Sequence, residues 1–117
     1  MRRDQRLRKS RDFAAVRREG RSWPSHYLVL GARPNGLETT RFGFSVGKRV
    51  GNAVVRNRVK RRLREAARLS IVQDGWDLVF IARKDCSSAS YQQLADSMSG
   101  LLKRARVLES TTKVAGS

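Results

Sequence analysis

Apolar positions are spaced along the chain in patterns that predict alternating helices and strands. Arg2 to Arg11 is densely basic, with Leu7 its only anchor, and is expected to be a partly flexible arm. Phe13 and Val16 then fall three residues apart, one face of a short helix over Arg11 to Glu19, which Ser10 can cap and Gly20 can end. Tyr27-Leu28-Val29-Leu30 is an apolar, partly β-branched run, and Pro34-Asn35-Gly36 is turn chemistry. From Thr40 to Val46 the residues alternate, with Phe42, Phe44 and Val46 on one side and Arg41, Gly43 and Ser45 on the other. That alternation predicts a half-buried strand, expected antiparallel to the one before it.

Gly47 to Asn52 is a basic loop between glycines, and Asn52 is placed to cap the helix that follows. Over Ala53 to Ser70, the residues Val55, Val59, Leu63, Ala66, Ala67 and Ser70 share one arc at about 100° per residue. Asn57, Arg58, Lys60, Arg61, Arg62, Arg64 and Arg68 fill the remainder. Trp76 to Ala82 is almost continuously apolar, the mark of a central strand covered on both faces. A last helix is predicted over Ser90 to Leu108, its apolar residues three and four apart and packed on the sheet. Glu109 to Ser117 is a short polar tail, expected to be disordered. The class is α/β, in a single domain over residues 1–117, with residues 1–10 as arm and 109–117 as tail.

Charge narrows the partner. The 117 residues carry 26 Lys plus Arg against 10 Asp plus Glu, a formal +16, so the partner should be a polyanion. No apolar run approaches the roughly 20 residues of a membrane helix. The basic start is not followed by a signal-peptide core, so no export is expected. A single cysteine, Cys86, rules out an internal disulfide and cysteine-paired zinc sites, which fits a reduced, cytoplasmic setting. A single histidine, His26, removes most His-based acid–base schemes. Cys86 is read as a loop thiol and His26 as a surface histidine. The acidic residues are scattered without a metal motif, so solubility and helix caps explain them, and no catalytic or metal-ligating residue is assigned.

The helix after Asn52 carries the chemistry. Arginine dominates it, and a guanidinium fork bonds two phosphate oxygens at once. A merely solvated helix would lace its charges with acids four residues away, but only Glu65 interrupts this run. Nucleic acid is the natural ligand. Strands flank the helix, so the short turn of a helix-turn-helix is missing, and aromatic residues such as Phe13 and Trp23 could stack on unpaired bases or belong to the core.

The stretch Lys48 to Glu65, reading KRVGNAVVRNRVKRRLRE with Arg56-Asn57-Arg58 at its centre, resembles the signature of the ribonuclease P protein family. Arg6-Leu7-Arg8-Lys9 before Asp12-Phe13, Phe44-Ser45-Val46, and Asp77 to Arg83 match in order, so the resemblance covers nearly the whole chain. It implies a two-layer α-β sandwich of about three helices on a four-stranded mixed sheet, the second-domain fold of a small-subunit ribosomal protein. The basic helix would make a left-handed crossover between parallel strands, against the usual rule. A fourth strand, which periodicity does not reveal, would lie near Gly20 to Ser22.

The resemblance further implies a catalytic RNA subunit that removes the 5′ leader of precursor tRNA, with Mg²⁺ held mainly by that RNA and the substrate. One protein would join each RNA, raising substrate and Mg²⁺ affinity. Lys48, Arg49, Asn52, Arg56, Asn57, Arg58, Lys60, Arg61 and Arg64 would face the RNA, with Arg62 and Arg68 left as solvated. The leader would lie between the first helix and the sheet, against Phe13, which could equally serve the core. Arg17 stands where some members carry a second aromatic. A ribosomal RNA-binding protein, a protein-only nuclease and a transcription factor are the alternatives that charge alone leaves open.

Overall fold

In the computed structural model, which describes residues 6, 7 and 9–108, three helices and four strands follow the predicted order. They are α1 (Ser10–Glu19), β1 (Arg21–Pro24), β2 (Leu28–Pro34), β3 (Arg41–Ser45), α2 (Ala53–Arg68), β4 (Trp76–Ala82) and α3 (Tyr91–Ala105). The tail over 109–117 and the arm residues 1–5 and 8 lie outside the described residues. The fourth strand is β1, slightly later than the resemblance implied. The strands form one sheet in the order β1-β2-β4-β3.

β3 runs antiparallel to β2, as expected, but the two are not neighbours. β4 lies between them, antiparallel to β2 and parallel to β3. Its run from Asp77 to Phe80 is buried, and only an interior position gives such a strand a neighbour on each edge. β3 therefore reaches β4 through the crossover helix α2. Beyond β3, Arg6 bridges to Phe42 in parallel, and the Leu7 N–H donates to the Phe42 carbonyl at 2.7 Å. Leu7 is buried, so it anchors this part of the arm as its sequence position suggested.

Strand alternation sends Leu28, Leu30, Phe42, Leu78 and Phe80 to one face, where Val59 and Leu63 of α2 and Leu94, Met98 and Leu102 of α3 close a dry core. Burying each such leucine stabilises the fold by about 2 kcal/mol. α3 starts with a reciprocal cap, the Gln93 N–H donating to Ser90 Oγ while Gln93 Oε1 accepts from the Ser90 N–H. It stops at Ala105, short of the expected Leu108, because Arg106 turns left-handed at φ 59° and the Val107 N–H returns to the Leu102 carbonyl. Cys86 is not the loop thiol expected. It is wholly buried in a 3-10 turn over Lys84–Ser88, donates to the Tyr27 carbonyl, and has its pKa pushed up to about 11 by burial.

On the opposite face the registers stack three rows across β2, β4 and β3. The middle row is Gly31–Val79–Gly43, flanked by Arg33–Asp77–Arg41 on one side and Val29–Ile81–Ser45 on the other. α1 lies along the middle row. A Cβ on Gly31 would stand 3.1 Å from Val16 Cγ1, and one on Gly43 would stand 2.8 Å from Phe13 Cζ. Phe13 and Val16 thus share a face, as their spacing predicted, and pack with Leu7, Val79 and Ile81. Ser10 does not cap α1 but lies in its first turn, after Lys9, which makes no side-chain cap bond. Gly20 ends the helix in an extended conformation, where a Cβ would stand 2.5 Å from the Ala32 carbonyl oxygen.

Candidate nucleic-acid interface

The junction from Lys48 into α2 is built by three small devices. Val50 is buried, and its N–H donates to the Gly47 carbonyl, which leaves Lys48 and Arg49 exposed on the turn. A Cβ on Gly51 would stand 2.8 Å from Val55 Cγ1, so only glycine lets the loop pass this close to the helix. Asn52 Oδ1 then accepts the Val55 N–H at 3.0 Å, the cap its position predicted. Val59, Leu63, Ala66 and Ala67 are buried against the core, which fixes the orientation of the cationic side.

The structure sorts the expected RNA-facing residues. Asn57 and Arg61 are exposed, while Arg56, Lys60 and Arg64 are half-buried. Arg58 and Arg62, one turn apart, face the 3-10 turn: Arg58 Nη2 donates to the Ser87 carbonyl at 3.2 Å and Arg62 Nη1 to the Ala89 carbonyl at 2.7 Å. Arg62 is therefore a structural tie rather than a solvated cation, and Arg58 combines such a tie with its place in the motif. Arg68 pairs with Glu65. Arg6 from the arm, with Arg61, Arg64 and the Arg68–Glu65 pair, surrounds a groove of about 330 Å³. The Nε atoms of Arg56 and Arg58 are buried without a hydrogen-bond partner among the described residues.

On the α1 face two hollows meet at the same side chains. One, of about 180 Å³, has Val29, Gly31 and Ile81 in its lining and reaches Arg21 and Ser22 of β1. The other, of about 450 Å³, includes Ser45 and Val46 and reaches Lys60 of α2. Phe13 and Arg17 line both. The half-buried Val29–Ile81–Ser45 row is thus the floor of a track running from β1, under Phe13 and Arg17, to the basic helix. Phe13 belongs to the small α1 cluster, its ring resting over Gly43, and it also lines both hollows. Arg17 is exposed. Lys60, grouped with the α2 cations from sequence, stands where track and helix join.

No group of three or more His, Cys, Asp or Glu side chains among the described residues could hold a metal ion. Among those residues, no helix is long and apolar enough to cross a membrane. His26 is exposed, with Nε2 3.1 Å from Asp85 Oδ2 and its ring edge-on to Tyr27. One acid departs from the reading of solubility and caps: Asp77 is fully buried, flanked in register by Arg33 and Arg41. The signal was a lone charge in an apolar strand, with arginines on two other strands.

The same sequence features recur in known proteins. The sequence profile of the ribonuclease P family matches residues 1–106. The chain belongs to the ribonuclease P protein family. It is 46% identical over 112 residues to the ribonuclease P protein component of Roseiflexus castenholzii, spanning 93% of this chain and 92% of that one. With the Clostridium kluyveri ribonuclease P protein component it shares 42% over 104 residues, 86% and 93% of the two chains. Among solved structures, a mutant Staphylococcus aureus RNase P protein superimposes with a TM-score of 0.83 at 31% identity, covering 90% of this chain and 91% of that one. The Thermotoga maritima RNase P protein gives 0.77 at 35% identity, covering 85% and 96%. The ribonuclease P fold, three helices on a four-stranded mixed sheet, is the fold described above.

Proposed function

We propose that this ribonuclease P family chain is the RNA-binding protein component of an endoribonuclease that acts in tRNA processing, with a catalytic RNA subunit as its partner. The RNA subunit performs the hydrolysis that removes the 5′ leader of precursor tRNA. The protein lowers the electrostatic cost of bringing two phosphate backbones together. Lys48, Arg49 and the outward cations of α2 contact the RNA subunit, and the leader runs along the Val29–Ile81–Ser45 row beneath Phe13 and Arg17. The observation that carries this reading is the continuity of that track with α2 at Lys60, which puts a groove sized for single-stranded chain beside a rigid cationic helix.

Each part has a chemical task. Fixed arginines displace condensed counterions from phosphate, which favours association through released ions. The Phe13 edge and the apolar row accept an unpaired base, and Arg17 supplies a phosphate contact or a guanidinium stack where a second aromatic would only stack. The scattered carboxylates do not suit a resident Mg²⁺, so the ion belongs with the RNA subunit and substrate, and the protein's cations reduce how much of it is needed. One protein joins one RNA. A reducing cytoplasm suits the buried, unpaired Cys86.

The test is cleavage of a precursor tRNA by a bacterial ribonuclease P RNA at limiting Mg²⁺, with and without this protein, alongside the protein alone. Cleavage restored only by RNA and protein together is the expected result. No restoration would instead favour a ribosomal RNA-binding role, and cleavage by the protein alone would overturn the assignment of chemistry to RNA.

A further inference from the structure

The apolar contact of α1 with the sheet is one small cluster, Phe13 and Val16 against Leu7, Val79 and Ile81. The helix has 10 residues, too few to be stable by itself, and it rests on a row whose outer members are glycines. Beside it lies the half-buried Val29–Ile81–Ser45 row, so the sideways placement of the helix decides how much of that row stays accessible. Covering it would close the track. On the other flank the helix is tied down by charge.

The Arg33–Asp77–Arg41 row does this. Asp77 Oδ1 accepts from Asn35 Nδ2 at 3.0 Å and Arg41 Nε at 2.9 Å, and its Oδ2 accepts from Arg41 Nη2 at 2.8 Å and lies 3.5 Å from Arg33 Nη2. Each arginine also reaches α1, near opposite ends. Arg33 Nη1 donates to Glu19 Oε1 at 2.9 Å, and Arg41 Nη2 lies 4.0 Å from Asp12 Oδ1. Without the Asp77 carboxylate the two guanidinium groups would face each other across β4 with little to orient them.

We infer that Asp77 is a positioning residue for leader binding: through Arg33 and Arg41 it holds both ends of α1 on the glycine row and keeps the adjoining apolar row open. Asp77 touches no RNA in this arrangement. It sets the width of the track that Phe13 and Arg17 overhang. The inference rests on the functional reading given above, in which that track takes the leader.

The experiment measures the affinity of the assembled RNA–protein complex for a precursor tRNA with its leader and for the same tRNA without it. The variants are Asp77→Asn and, because a fully buried change can unfold the chain, the more accessible pair Asp12→Asn with Glu19→Gln. The preference for the leader-bearing substrate should fall roughly fivefold in both, through KM rather than kcat. The RNA subunit's affinity for the double variant should hold or rise, since two negative charges are gone. Charge alone would strengthen leader binding, so the sign separates positioning from electrostatics. An unchanged preference in the double variant overturns the positioning role, whether or not Asp77→Asn is impaired. A wild-type complex indifferent to the leader overturns the functional reading beneath it.

Discussion

The two faces of the sheet are built on opposite terms. Toward α2 and α3, leucine, phenylalanine and methionine side chains interlock with almost no exposure. Toward α1, glycines occupy the places where large side chains would fill a core, one row is ionic, and one row is left partly bare. The first face supplies folding energy. The second has given up packing to keep a helix close to the strands and a groove beside it, the arrangement expected where stability has been traded for a binding surface.

Truncation on each face should separate these roles most clearly. Leu63→Ala, in the dry core, should cost about 3 kcal/mol of stability, read as a lower urea midpoint, while the folded protein keeps its preference for leader-bearing substrate. Ile81→Ala, on the partly exposed floor of the track, should cost only about 1 kcal/mol yet weaken that preference. Equal effects on stability and no effect on leader binding would erase the distinction between the faces.

A smaller effect should appear with pH. Burial raises the Asp77 pKa, but hydrogen bonds from Arg41 and Asn35 and the charges of Arg41 and Arg33 outweigh it, so the carboxyl is held below its ordinary value. A carboxyl lowered on folding stabilises the protein above its unfolded pKa, and that contribution is lost as pH falls through the folded value. Stability should therefore decline below about pH 4, and the decline should be shallower in Asp77→Asn. Denaturant midpoints across the acid range measure it. A steeper decline in the variant would contradict the sign.

The smallest contrast lies within α2. Arg61→Ala should leave stability within about 0.5 kcal/mol but reduce the slope of log affinity for the RNA subunit against log salt by about one. Arg62→Ala should do the reverse, losing about 1 kcal/mol with the Ala89 tie and changing the slope little. Salt titrations of the two variants, paired with melting curves, make the comparison.

These contrasts follow the limits of what was legible before the fold was known. α2 could be read closely, because its apolar arc, its Asn52 cap and its cations are all local patterns. The central place of β4 followed from its own composition. Strand adjacency did not: the opposite directions of β2 and β3 were legible, but that β4 separates them is set by the pairing of the whole sheet. β1 is four residues with no alternation to detect. In the site, Phe13 was visible as an aromatic at the right spacing, whereas the track beneath it is made by register, which brings Gly31 and Gly43 onto one line from positions twelve apart. Arg62 read as a solvated cation because its partner, 27 residues away, is brought to it only by the fold.

The most direct measurement is a photocrosslink from 4-thiouridine placed in the leader of a precursor tRNA, within the assembled RNA–protein complex, mapped to residues by mass spectrometry. Crosslinks should fall on the α1 face, on the Val29–Ile81–Ser45 row and the side chains over it, Phe13 and Arg17, extending toward Lys60. Crosslinks concentrated on α3, or absent from the protein while cleavage proceeds, would contradict the division of the molecule into a folding face and a leader-binding face.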